Sequence, residues 1–281
     1  MKRIIALLVF PIAFALAPAH AETTLCTEIT SLPATITTQG MYCLHKDLST
    51  NVSSGTAIDI RTNNVTLDCN NWKAGGLAAG LSTNATGIQA SGRQNITIRN
   101  CGVRGFRTGI SLSGGAGHLI EDNRVDNSTV TGIYLMGDAV TVRSNRIIDT
   151  GGRPGSGVSY GIEVNHTSSG ALISDNQVIN VTVAGNPNGN AFGMRFGGIG
   201  HEISRNLFVN IMPAGTASAY GTYGAGGSLA SLRDNTAINS ASTPGVGIEG
   251  GTSASQCRDN MTSGFITPLA YCVDVSGNAG S

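Results

Sequence analysis

Residues 95–112 read NITIRNCGVRGFRTGISL, and residues 117–135 read GHLIEDNRVDNSTVTGIYL. Each stretch holds a short alternating run, a polar or small residue, a second brief apolar segment and then Thr-Gly-Ile. Working outward, a small residue with an aliphatic partner starts eight such units: Ala57-Ile58, Gly87-Ile88, Gly109-Ile110, Gly132-Ile133, Gly161-Ile162, Gly193-Met194, Gly221-Thr222 and Gly247-Ile248. Thirteen to fifteen positions later stand Asn70, Cys101, Asn123, Asn145, Asn176, Asn206, Asn235 and Asn260. An internal repeat of this kind decides the fold before any single residue suggests a function.

Aligned on these marks, three apolar columns emerge. One lies three residues before the Asn position, from Leu67, Ile98 and Ile120 to Cys257; one lies two residues after it, from Trp72, Val103 and Val125 to Thr262. The third follows the small-aliphatic pair, from Ile60 and Ala90 to Gly250. Short strands with alternate residues inward stack in this way only when each coil shares its core with the next, so an all-β parallel solenoid of about eight coils is expected. A corner Asn suits this, because it tolerates a left-handed backbone and bonds its copies above and below. Leucine-rich repeats are excluded by the scarcity of leucine and of helical stretches. Left-handed β-helices of short repeats are excluded by coils of 22 to 32 residues.

The lines Asn95-Ile-Thr-Ile-Arg-Asn100 with Thr108-Gly-Ile-Ser-Leu112, and Val140-Thr-Val-Arg-Ser-Asn145 with Tyr160-Gly-Ile-Glu-Val164, resemble the right-handed parallel β-helix repeat proteins of the pectin-lyase-like superfamily. The resemblance covers residues 53–275 and implies the fold. It leaves activity open, since that superfamily holds polysaccharide lyases, hydrolases, epimerases, adhesins and non-catalytic proteins.

Residues 1–21 read as a secretion signal: Lys2 and Arg3, an apolar run from Ile4 to Ala17, and Ala19-His20-Ala21 at the cut site. Its apolar run is too short to span a membrane, no other stretch is longer, and a secreted or periplasmic location is expected. Residues 22–52 are expected to cap the open end, 53–275 to form the β-helix and 276–281 to form a tail. Without the signal, fifteen Lys and Arg face seventeen Asp and Glu. A charge near −2 gives no electrostatic reason for nucleic acid or a membrane surface as partner. Six cysteines suit an oxidising compartment. Their places in the coils suggest pairs Cys26–Cys43, Cys69–Cys101 and Cys257–Cys272, the middle pair about one ~4.8 Å strand spacing apart. No close Cys or His partners suggest metal, and neither a metal nor another cofactor is expected. A monomer is expected.

Insertions locate the candidate site. From the Asn position to the next small residue the count varies from 8 to 17, and the extra residues lie after Asn145, Asn176 and Asn206. In repeat proteins, insertions on one side build the binding face. Beside them runs an outward column: Asp59, Gln89, Ser111, Tyr134, Glu163, Arg195, Tyr223 and Glu249. Its lower half mixes aromatic rings with both charges, which suits the apolar faces and hydroxyl edges of a sugar chain. Tyr134, Glu163, Arg195, Tyr223 and Glu249 are the candidate substrate-binding residues. The competing explanation is that Glu163 and Arg195 form only an exposed cross-coil ion pair. A second outward column, Asp68, Arg99, Glu121, Arg143, Ser174, Ser204, Arg233 and Arg258, reads as a solvated face. His118 and His201 fall in an inward column, and His166 sits on the turn after the Glu163 strand.

Three functions follow as expectations. The first is binding of extended polysaccharide along the Tyr134–Glu249 face. The second is a polysaccharide lyase or uronate C5-epimerase, with Arg195 neutralising the carboxylate and Tyr134, Tyr223 or His166 moving the proton. The third is a structural or adhesive surface role without a small ligand. Glycoside hydrolysis is disfavoured, because Glu163 and Glu249 are three coils or ~14 Å apart and the polygalacturonase motifs Asn-Thr-Asp, Gly-His-Gly and Arg-Ile-Lys are missing.

Overall fold

The computed structural model describes residues 25–252 and 254–280. The secretion signal expected over residues 1–21 lies outside them. The chain is a parallel β-solenoid of about nine turns, and every named strand pairing is parallel. One face is a sheet of eleven strands, including Val65–Asp68, Ile96–Arg99, Leu119–Glu121, Thr141–Arg143 and Leu172–Ser174. The other eighteen strands form two rows that merge at the C-terminal end, where Thr236–Glu249 and Met261–Ala270 each run through both. The front row holds Thr56–Ile60, Thr86–Ser91, Thr108–Ala116, Thr131–Asp138, Val158–Val164, Asn190–Phe196 and Ala219–Gly224. The back row holds Gly102–Arg104, Arg124–Asp126, Arg146–Gly151, Gln177–Thr182 and Leu207–Met212.

The inward columns stack in the register that the repeat implies. Leu67, Ile98, Ile120, Val142, Ile173, Ile203, Leu232 and Cys257 are consecutive partners and all buried. The small-residue column also has a physical cause. A Cβ on Gly132 would lie 2.5 Å from both the Gly161 carbonyl and Ile147 Cγ2, and one on Gly193 would lie 2.6 Å from the Gly221 carbonyl and Phe208. In these coils the corner therefore closes only around a glycine, Ala57 of the first coil being the one larger member of the column. One column member is corrected: Val103 pairs with Ala74, not with Trp72. Asn70 and Asn71 both take the left-handed conformation and lengthen that corner by two residues.

The asparagine ladder is present and shifted by one coil at each end. Backbone N–H groups of Cys101, Asn123, Asn145, Asn176, Asn206, Asn235 and Asn260 each donate to the amide oxygen of the next Asn, ending at Asn278. Asn70, expected in the ladder, donates from Nδ2 to the Leu44 carbonyl of the coil before, but its backbone N–H bonds Asp68 Oδ1 and not the oxygen of a following Asn. Asn278, not anticipated, gives its Nδ2 to Asp274 Oδ1 at 2.6 Å, where a further Asn would otherwise accept. The left-handed residue is not the Asn but the one before it: Asn100, Asp122, Ser144, Asp175, Arg205, Asp234 and Asp259 all have positive φ.

Residues 27–49 carry strands that pair in parallel with the coil above: Gly40–Cys43 with Val65–Asp68, and Ala34–Ile36 with Thr56–Ile60. Disulfides join Cys26 to Cys43, Cys69 to Cys101 and Cys257 to Cys272, with Cα separations of 5.9, 4.6 and 5.9 Å. Among the described residues no helix is long and apolar enough to cross a membrane. On the second outward column, Arg99 bonds Asp68 and Arg143 bonds Glu121, as its alternating signs imply. Asp68, Ser174 and Ser204 are buried, however, so that column is solvated only in part.

Candidate functional site

The front row brings the outward column into one line. Ser111 pairs with Tyr134, Tyr134 with Glu163, Glu163 with Arg195 and Arg195 with Tyr223. Thr222 pairs with Ile248, which sets Glu249 beside Tyr223 in register. Tyr134, Glu163, Arg195 and Tyr223 are half-buried, their side chains held upright by the buried Ile133, Leu135, Ile162, Val164 and Phe196 between them. Tyr134 accepts a hydrogen bond from Asn165 Nδ2 at 3.1 Å, and Arg195 Nη1 donates to Glu163 Oε1 at 3.2 Å.

Glu249 departs from the expected exposure: it is 7% exposed. Its strand is covered by a further coil, with Ala270 in register on the far side. Burial pushes its carboxyl up to about 7, so it changes charge near neutrality. Burial also raises the Glu163 carboxyl, and the adjacent Arg195 opposes that rise.

Sequence reasoning missed the second row of this face. Three residues before Glu163, Arg195 and Tyr223 stand Tyr160, Phe192 and Tyr220, in register with one another. Their rings stack, Tyr160 on Phe192 at 5.1 Å and Phe192 on Tyr220 at 5.0 Å between centroids. Tyr223 meets Phe192 and Tyr220 edge-on at 5.4 and 4.8 Å. Burial raises the hydroxyl pKa of Tyr160 and of Tyr220. Alternation would send residues three apart to opposite faces, but the corner at Gly161, Gly193 and Gly221 intervenes and turns both columns to one side. Exposed Arg107, whose charge lowers the Glu163 pKa, is a second cation at this face and has no ion pair among the described residues.

Other expectations fall elsewhere. His166 is exposed, packs its backbone over Gly197, and among the described residues has no hydrogen bond or ion pair that joins it to Arg195 or Tyr134. His118 and His201 are buried structural groups. Each accepts a backbone N–H at Nδ1, from Ile96 and Ala171, and each Nε2 bonds the carbonyl four residues back. His45 Nε2 lies 3.3 Å from Cys43 Sγ, a His–Cys neighbour two residues away in sequence that corrects the expectation of no close partner, although both cysteines of that cluster are joined in the disulfide.

Residues 47–199 match the family model of the right-handed β-helix region. No curated protein sequence matches the chain. Among solved structures, the Dettilon tailspike protein aligns over 90% of this chain at 15% identity with a TM-score of 0.49. The DFA-IIIase of Arthrobacter chlorophenolicus A6, in complex with GF2, aligns over 79% at 14% identity with a TM-score of 0.51. The chain spans 55% of the length of each of these two proteins. The A-module of the Azotobacter vinelandii mannuronan C-5 epimerase AlgE6 aligns over 89% of both chains at 13% identity, with a TM-score of 0.43. With its stacked parallel coils and a family match over more than half its length, the chain belongs to the right-handed β-helix family.

Proposed function

We propose that the protein is exported and binds extended polysaccharide along its front face, from Tyr134 to Glu249. The observation that carries this reading is the pairing of two parallel rows on one surface. One row is aromatic, Tyr160, Phe192 and Tyr220; the other carries Glu163, Arg195, Tyr223 and Glu249. Both repeat at the strand spacing of ~4.8 Å; Phe192 is buried between its two neighbours, so the aromatic row offers a linear ligand the rims of Tyr160 and Tyr220 beside polar groups. Arg107 and Arg195 stand against two carboxyls whose ionisation burial disfavours, Glu163, raised although paired with Arg195, and Glu249, pushed up to about 7. This balance favours an acidic sugar, a uronate, over a neutral one. The Glu163–Arg195 pair is a modest stabiliser at its partial exposure, so its place in this row is better explained by recognition than by stability.

A lyase or epimerase role for the same face has one specific observation in its favour: a buried carboxyl titrating near 7, in register with a tyrosine. Retention of the purified protein on uronate and neutral polysaccharides, with absorbance of unsaturated products read in parallel, tests both. Binding of uronate polymer that is lost in Tyr220→Ala and Arg195→Ala, without product, supports the binding reading. Product formation by the wild type converts it into the lyase reading, and retention equal in all variants removes the face from consideration.

A further inference from the structure

One coil towards the N-terminus from Tyr160, the aromatic row is continued by Thr131, its register partner. Two residues before Thr131 the surface opens into a cleft of about 170 Å³, lined by Leu77, Leu81, Gly105, Asn127, Thr129 and Asp149 among others. The Leu77 wall approaches the coil above because of one residue. Asn127, Asp149, Asn180 and Asn210 form a partly exposed left-handed column, linked where Asn210 donates to Asn180 and Asn180 to Asp149. Gly105 ends that column without a side chain, and a Cβ there would lie 2.7 Å from the Leu77 backbone nitrogen.

On the N-terminal side of the cleft stands the insertion 76–85, whose short helix Leu77–Ala79 leaves Leu77 and Leu81 52% and 58% exposed. The same insertion is held by Arg153, whose guanidinium donates to the carbonyls of Ser82 and Thr83 at 3.2 and 2.5 Å and to Asn84 Oδ1 at 3.1 Å. These bonds tie together loops seventy residues apart in sequence. Inside, the Thr129 hydroxyl is buried and has no hydrogen-bond partner. Leucine methyls on one wall face a carboxylate, an amide and a hydroxyl on the other, the division of surface that a single pyranose ring presents.

We propose that this cleft holds the terminal sugar of a chain lying along the aromatic row, so that the protein recognises polysaccharide ends and not chain interiors. The inference rests on the binding reading above. A chain following Tyr220, Phe192 and Tyr160 towards the N-terminus meets the Leu77–Leu81 wall and cannot pass. Asp149, whose Oδ1 already accepts from Asn180, offers its second oxygen to a sugar hydroxyl.

The test measures binding of the purified protein to short and long fractions of polygalacturonate and polymannuronate at equal mass, by titration calorimetry. Sites per gram should rise with the number of chain ends, and Asp149→Ala should weaken short-chain binding about tenfold through loss of a charged hydrogen bond. Sites per gram that do not depend on chain length overturn the proposal. Tyr220→Ala separates the two readings: if it binds as wild type does while Asp149→Ala is weakened, the cleft stands and the face does not. If Tyr220→Ala is weakened and Asp149→Ala is not, the face stands alone. Should neither polymer bind, saturation-transfer NMR with free galacturonate and mannuronate decides the cleft, a signal lost in Asp149→Ala supporting it and the absence of any signal removing it.

Discussion

Replacing Asn176 with alanine should loosen the solenoid at one identifiable rung. Its amide oxygen accepts the Asn145 backbone N–H at 3.0 Å, and its Nδ2 donates to the Val142 carbonyl at 2.9 Å and to Asn206 Oδ1 at 3.0 Å. Asn176 is completely buried, so water cannot replace these partners without opening the corner. The stranded Asn145 N–H alone costs about 1–3 kcal/mol, and the two bonds lost from Nδ2 add about 0.5–1.5 kcal/mol each. The expected total is about 2–6 kcal/mol, measured by urea denaturation followed by circular dichroism. Hydrogen exchange reads the same event locally, because the Asn145 amide should lose protection first. Asn210→Ala, which removes a bond between part-exposed side chains on the opposite corner, is the control. A loss below about 1 kcal/mol, with the Asn145 amide still protected, would refute the ladder as a source of stability.

Further outcomes follow from the same geometry. Ile173→Ala should cost about 2–5 kcal/mol by leaving a cavity in a closed stack, while Arg143→Ala, on the exposed side, should cost far less; the reverse order in thermal melts would invert the inside and outside columns. Glu249 has its folded pKa raised from 4.5 to about 7, so its neutral form favours folding below pH 4.5 and that contribution is lost as pH rises through 7. Glu249→Gln should therefore be the more stable protein at pH 8, by at most about 3 kcal/mol, and no more stable at pH 4; equal stability at pH 8 would show that the carboxyl is not desolvated. His118 and His201 act in the opposite sense, since burial lowers both pKa values. Their contribution is present above pH 6.5 and is lost as pH falls towards the depressed values, so a His118→Gln, His201→Gln double variant should be weaker at pH 7 and show a flatter melting profile between pH 7 and 5.

The stacked columns were legible because a solenoid repeats one local rule, and alternation fixes which side chains meet the core. The rule failed where a coil is locally unusual. At Asn70 and Asn71 two left-handed residues shift the register, so Trp72 and Asn70 fall out of columns they match in spacing. Asn278 was not recognised because its coil lacks the small-aliphatic start that marks the others. In the site, Tyr134, Glu163, Arg195 and Tyr223 were found because they share a strand position. The burial of Glu249 depends on the following coil, which its own strand does not encode. Tyr160, Phe192 and Tyr220 were missed because period two places them on the wrong face, and only the glycine corner brings them round. Arg153 binds carbonyls some seventy residues away, a contact without any local signature.

The central claim is that sugar units lie along the stacked rings of the front face. It is tested most directly by a crystal structure of the protein soaked with a uronate oligosaccharide retained in the binding screen. The account expects ring density over Tyr160, Tyr220 and Tyr223, with a carboxylate at Arg107 or Arg195. Saccharide density on the eleven-stranded sheet instead, with this face bare, would contradict it.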